Sequence, residues 1–203
     1  MAERTKDGGQ TRPADVRAAL LRAAAELIES GPESAVSLRA CARRAGVSHA
    51  APAHYFPAKA DLIAAVLAEA FDDLTARMLT ARDAAPEDPF ERLKAIGLAY
   101  IAFALKRPAT YGMMFQPAYS GPPGSEMAIA GQRCGAVLTQ AVAATHRPDE
   151  VDDALGVAYA WVNVHGFVSL LTGGMLDCGP GGLEAAPEMA ERLLALLRPA
   201  FTR

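Results

Sequence analysis

Residues 37–48 read Ser37-Leu38-Arg39-Ala40-Cys41-Ala42-Arg43-Arg44-Ala45-Gly46-Val47-Ser48, and the chain continues through His49-Ala50-Ala51-Pro52-Ala53-His54-Tyr55-Phe56-Pro57 to Lys59. Ser37 is a good helix N-cap, because its hydroxyl can accept from an otherwise orphaned backbone N–H. After it Leu38, Cys41 and Ala42 recur at helical spacing to Ala45, with Arg39, Arg43 and Arg44 off that stripe. Gly46 suits the left-handed residue that ends a helix, and Val47 is placed to plug the turn against a core. Ser48 then caps a third helix, expected over about His49 to Tyr55. Pro52 falls near its fourth position, where the missing N–H costs at most one hydrogen bond. Two short helices joined by a tight turn make a helix-turn-helix over residues 37–56, an arrangement that sets one helix in the major groove of double-stranded DNA.

The chain on either side reads as helix. Val16, Leu20, Ala23, Leu27 and Ile28 form one apolar stripe of a first helix, expected from Asp15 to Ser30 and stopped by Gly31-Pro32. Pro57 breaks the chain again, and a long fourth helix is expected from near Ala58 to Arg82. A linker around Asp83 to Pro89 leads to a fifth helix, Phe90 to Lys106, with Leu93, Ile96, Tyr100, Ile101 and Leu105 facing inward. A short segment follows, Ala109 to Phe115. Further helices are expected over Ser125 to Thr145, Val151 to Thr172 and Pro187 to Phe201, separated by the Gly/Pro-rich stretches around Gly121 and Gly179. No internal repeat and no convincing strand is legible, so the fold class is all-α.

Composition narrows the function. Hydrophobic residues make up 51% of 203 residues and charged residues 21%, a globular balance rather than a disordered one. The net charge of -3 is nearly neutral, but residues 1–62 carry +2 and the rest -5. A mildly basic head on an acidic body suits a protein that meets nucleic acid with one end. Three widely spaced cysteines, Cys41, Cys134 and Cys178, give neither a disulfide framework nor a zinc site. Free thiols without a leader-like segment lead us to expect a cytoplasmic protein. The polar start, Met1 to Pro13, reads as a loose arm. The stretch from Ala154 to Leu176 lacks charge and is long enough to span a bilayer. Its polar residues, its Gly173-Gly174 pair and its acidic entry favour a doubly buried helix of a protein outside the membrane.

The run Ser37…Ala42…Gly46-Val47-Ser48…Tyr55-Phe56-Pro57…Lys59 resembles the tetracycline-repressor (TetR) family of bacterial transcription regulators. The likeness covers residues 14–74 closely and implies a DNA-binding domain there. It implies a ligand-binding and dimerisation domain over 75–203. Ser37 and Ser48 would meet phosphates at helix N-termini. His49, Ala50 and Ala51 would face base edges, the alanines against thymine methyls. His54, Tyr55 and Lys59 would hold phosphates, with Arg39, Arg43 and Arg44 adding positive charge. The sequence departs from the family pattern at Pro52-Ala53, where a Leu-Tyr pair is usual. That departure predicts fewer backbone contacts or a shifted docking.

Downstream, Trp161, His165 and Gly166 make a W-x-x-x-H-G pattern that looks like the C-terminal domain of one TetR subgroup, named for Trp, His and Gly. Trp161 and His165 share a helix face. They are candidates for a ligand pocket wall, or His165 is a core histidine bonded to a neighbouring helix. Tyr111, Met113, Met114, Phe115 and Tyr119 cluster with Tyr100 and Phe103 of the preceding helix, either as pocket or as core. Leu170, Leu171, Leu193, Leu194, Leu196 and Leu197 exceed what one small body needs, and the family precedent is a homodimer through the last two helices. Gly156 and Gly166 would let helices approach closely. The expected partners are a pseudo-palindromic operator DNA and a small apolar or amphipathic effector, with no cofactor, no metal and no catalytic set. Two rivals stand: a TetR-like protein acting only through protein partners, and a small helical enzyme.

Overall fold

The computed structural model describes residues 13–149 and 151–202. The expected arm lies almost wholly outside the described residues. These are helical with no strand among them: α1 (Pro13–Ser30), α2 (Leu38–Ala45), α3 (Lys59–Ala84), α4 (Pro89–Lys106), α5 (Pro108–Met114), α6 (Glu126–Ala143), α7 (Asp153–Thr172), α8 (Ala186–Ala195) and α9 (Arg198–Phe201). The chain divides into two compact units between Val66 and Leu67, inside α3.

In the first unit, α1 lies against α2 and the turn that follows it. Leu20, Leu21, Ala24 and Ile28 are buried with Val36, Cys41, Ala42, Phe56, Leu62 and Ile63. The Arg17 guanidinium stands 5.7 Å from the centre of the Phe56 ring. Asp61 accepts from the Ala58 N–H at 2.8 Å, steadying the entry to α3.

In the second unit, α4 is central and touches α5, α6, α7 and α8. Asp88 caps it by accepting from Glu91 N–H at 2.8 Å, and Pro89 opens it. Ile96, Ile101, Phe103 and Ala104 are buried, with Ala160, Val164, Phe167, Val168 and Leu171 of α7 and Leu194 of α8. The expected inward Leu105 is only half-buried. A Cβ at Gly156 would sit 2.9 Å from a Val142 methyl, so that glycine lets α7 close on α6.

Three expectations need correction. The third helix is not an α-helix over His49 to Tyr55 but a single 3-10 turn, Ala51–His54. Pro52 has no N–H for the Ser48 carbonyl, which accepts instead from Ala51 at 3.1 Å. The last helix is likewise split. Pro199 cannot donate to the Ala195 carbonyl, and α8 ends at that residue. Finally, α7 is not doubly buried in one chain. It is the one described helix long and apolar enough to cross a membrane, yet only a third of it is buried. Leu155, Tyr159, Trp161, Val162 and Leu170 are exposed.

Candidate functional site

The sequence singles out two places, one in each unit. In the first, Ser37 Oγ accepts from Ala40 N–H at 3.1 Å and fixes the start of α2. Gly46, at φ 69°, ends it in the left-handed region that other residues enter at a cost. The chain then turns so that Ser48, His49, Ala50 and His54 are exposed, with Ala51 and Tyr55 half-buried. Arg39 and Arg43 are exposed along α2. Arg44 is held by Glu26, Nε to carboxylate 2.5 Å. Lys59 Nζ donates to the Glu33 carbonyl at 3.0 Å and to its carboxylate at 3.2 Å. Such exposed pairs are worth about 0–1 kcal/mol, so an approaching phosphate can take over either cation at little cost. Ser48 serves as no side-chain cap; its carbonyl, not its hydroxyl, receives the Ala51 N–H.

The second unit holds a cavity of about 370 Å³ between α3, α4, α6, α7, α8 and α9. Of the expected pocket residues, Tyr100, Phe115 and Trp161 line it, while Phe103, Tyr111, Met113, Met114 and His165 do not. Tyr111, Met113 and Met114 are buried on α5. Sequence reasoning missed most of the wall, including Phe71, Leu93, Gly131, Cys134, Gly135 and Leu194. Gly135 lies four residues beyond Gly131 on α6, and a Cβ added there meets nothing within 4 Å. The bare helix surface at that position leaves the space open. Only a glycine pair at helical spacing signalled this in the sequence.

Tyr111 and His165 are linked to the wall by hydrogen bonds. The Tyr111 and Tyr100 hydroxyls lie 3.0 Å apart, and His165 Nδ1 stands 2.7 Å from Tyr111 and 2.9 Å from Tyr100. The Trp161 side chain acts on Tyr100 against the effect of burial, favouring its ionised form. Burial pushes Tyr111 up to about 12, raises Tyr100 as well, and lowers His165. At neutral pH both phenols are therefore protonated and the imidazole is uncharged. With the imidazole proton on Nε2, the two hydroxyls run in one direction: Tyr100 donates to Tyr111, and Tyr111 donates to the bare Nδ1 of His165. Phe115 packs edge-on to Phe71 of α3 at 5.8 Å and to His165 at 4.8 Å.

At another part of the wall Lys94 Nζ lies 2.8 Å from Glu91 and 3.0 Å from Glu191. Arg198 also pairs with Glu91. Hydrogen bonds to Glu91 and Glu191 raise Lys94, and the bond from Lys94 lowers Glu91. Burial pushes the Cys134 thiol up to about 11, so it is a protonated, inert lining group at neutral pH. No group of three or more metal-ligating side chains occurs among the described residues.

Comparison with known proteins follows the same division. Residues 20–66 match the model of bacterial regulatory proteins of the tetR family. Residues 93–197 match that of the tetracyclin repressor-like C-terminal domain. A protein of unknown function from Rhodococcus sp. RHA1 has a similar structure, 28% identical, with TM-score 0.74 over 95% of this chain and 98% of that one. The TetR family transcriptional regulator PfmR from Thermus thermophilus is 21% identical, with TM-score 0.64 over 91% and 96%. The fatty acid degradation regulator FadR from Bacillus halodurans is 16% identical, with TM-score 0.62 over 90% and 96%. Curated proteins give no match.

Proposed function

Given that the chain belongs to the TetR family of DNA-binding transcription regulators, we propose that it is a cytoplasmic, homodimeric repressor released from a pseudo-palindromic operator by a small apolar or amphipathic molecule. The observation that carries the DNA side is the Ser37-capped α2, the left-handed Gly46 and the exposed turn from Ser48 to Ala50. His49 and Ala50 face base edges in this reading. Arg39, Arg43, Arg44 and Lys59 meet phosphates, with Ser37, Ser48, His54 and Tyr55 beside them. A two-fold dimer carries two such elements, suited to half-sites about 34–36 Å apart.

The ligand side rests on the cavity. An effector that binds better to a conformation with mismatched half-site spacing shifts the population and frees the DNA. The helix α3 runs from Lys59 to Ala84 and contributes Phe71 to the wall, so it is the natural lever. TetR proteins regulate transcription, and this reading gives the chain no catalytic task.

Fluorescence anisotropy on DNA from upstream of its own gene tests the proposal, with a scrambled duplex as control. Binding is expected to be sequence-selective and steeply salt-dependent. The exposed Arg43 changed to Ala should weaken both duplexes alike and lower the salt slope by about 1. Equal affinity for both duplexes, followed by failure of a genome-wide selection to find a preferred fragment, would leave a protein that acts through protein partners.

A further inference from the structure

From the charges and donors around the cavity, we infer that its ligand is an uncharged, largely apolar molecule that presents one hydrogen-bond donor to Tyr100, and that carboxylates are rejected. This rests on the reading of the cavity as the effector site and adds its chemical class.

Two observations converge. The first is charge. Among the described residues Lys94 is the only charged side chain on the wall, and its ammonium is already shared between Glu91 at 2.8 Å and Glu191 at 3.0 Å. Arg198 completes the group by pairing with Glu91. Two cations and two carboxylates make a neutral cluster, so an anion entering the cavity would be buried without a counter-charge. Desolvation then works against it. The second observation is hydrogen bonding. With the imidazole proton on Nε2, the hydroxyl protons of Tyr100 and Tyr111 are used along the line that ends at His165 Nδ1, the contacts being 3.0 Å and 2.7 Å. The Tyr100 hydroxyl oxygen keeps acceptor capacity on the wall and has no proton to spare. It matches an O–H or N–H on the ligand. A carboxylate is an acceptor alone and finds no partner there. Besides Lys94, Tyr100 and Trp161, the polar side chains on the wall are Thr139, whose hydroxyl donates to the Gly135 carbonyl at 3.2 Å, and the weakly polar thiol of Cys134; the remainder is aromatic, aliphatic or glycine, with Phe71, Phe115, Leu93 and Val164 among it.

Trp161 is the single tryptophan and lines the cavity, so its fluorescence reports binding directly. The purified chain is titrated at neutral pH with 1-decanol, decanoate and decyl methyl ether. Decanol should change Trp161 emission at concentrations roughly tenfold or more below those needed for decanoate. The ether, with the chain but no donor, should bind severalfold more weakly than the alcohol. Glu191→Gln leaves the cluster with one excess positive charge, and Glu191 is half-exposed, so folding is little disturbed. In that variant decanoate should gain severalfold while decanol is unchanged, with a thermal melt confirming the fold.

Decanoate binding as tightly as decanol to the unaltered chain, or no gain for it in the variant, would overturn the exclusion of anions and leave the cavity reading standing. Equal binding of ether and alcohol would overturn the donor assignment. No response to any of the three, nor to the neutral dye Nile red, would overturn the effector site and this inference with it.

Discussion

His165 illustrates how a single side chain sets the chemistry of its surroundings. With the imidazole proton on Nε2, its Nδ1 accepts from Tyr111 at 2.7 Å. His165→Phe removes the acceptor and strands a buried hydroxyl. A loss of about 1–3 kcal/mol is expected, read as a lower urea midpoint at unchanged slope. His165→Asn offers an amide oxygen and should lose less. The pair also separates packing from titration. Burial holds the His165 pKa below its ordinary value of 6.5. The unfolded chain therefore takes up this proton first as pH falls. Stability from this group is level above the unfolded value and declines as pH drops below it toward the folded one. The wild-type melting temperature should fall more steeply between neutral pH and about pH 5 than that of His165→Asn. Equal slopes in the two proteins would show that His165 is not the titrating group.

At the scale of elements, the same cavity gives a prediction of opposite sign. A Leu side chain at position 135 of α6 would enter open space, since a Cβ there meets no atom within 4 Å. Gly135→Leu should raise stability by about 1 kcal/mol through the helix backbone alone, and more if the side chain packs. It should also abolish the Trp161 response to apolar probes. Gained stability with retained binding would place the ligand elsewhere. Elements were legible in the sequence where their signals are local. Ser37 and Gly46 bound α2 at the residues expected, Leu38 and Ala45, because a cap and a left-handed turn act within a few residues. Prolines were harder to read, because their cost depends on which carbonyl loses a partner. Pro52 shortened the recognition element to one 3-10 turn and Pro199 ended α8 early. The cavity was the least legible part. Tyr100, Phe115 and Trp161 were expected on its wall, but space left by Gly135 and Leu194 depends on how α4, α6 and α8 pack, which no short spacing encodes.

At the scale of the molecule, α7 raises the question of what covers it. Leu155, Tyr159 and Val162 are 53%, 42% and 64% exposed and recur at helical spacing, with Gly166 and Leu170 extending the row. Among the described residues, no atom beyond the adjoining residues and the backbone of α7 itself lies within 4 Å of a Cβ at Gly166, so a second helix can approach closely there. On α8 and the turn after it, Leu194 and Leu197 are buried, but Leu196 is 77% exposed. An apolar row of this kind is expensive to leave in water. A two-fold axis through α7 would bury it against its own copy, the isologous contact a homodimer requires. Standard-size interfaces bury about 800 Å² on each partner, and the exposed Leu196 extends the apolar surface beyond α7. Val162→Glu places like charges against each other across that axis and does not touch the core. Sedimentation should then report a monomer with an unchanged helical spectrum. Operator binding should weaken, and its salt slope should fall to about half, because one recognition element contacts half as many phosphates. A variant that stays dimeric would move the interface away from α7. A monomer that binds with wild-type affinity and slope would mean that a single head suffices, and the two-half-site operator would have to be given up.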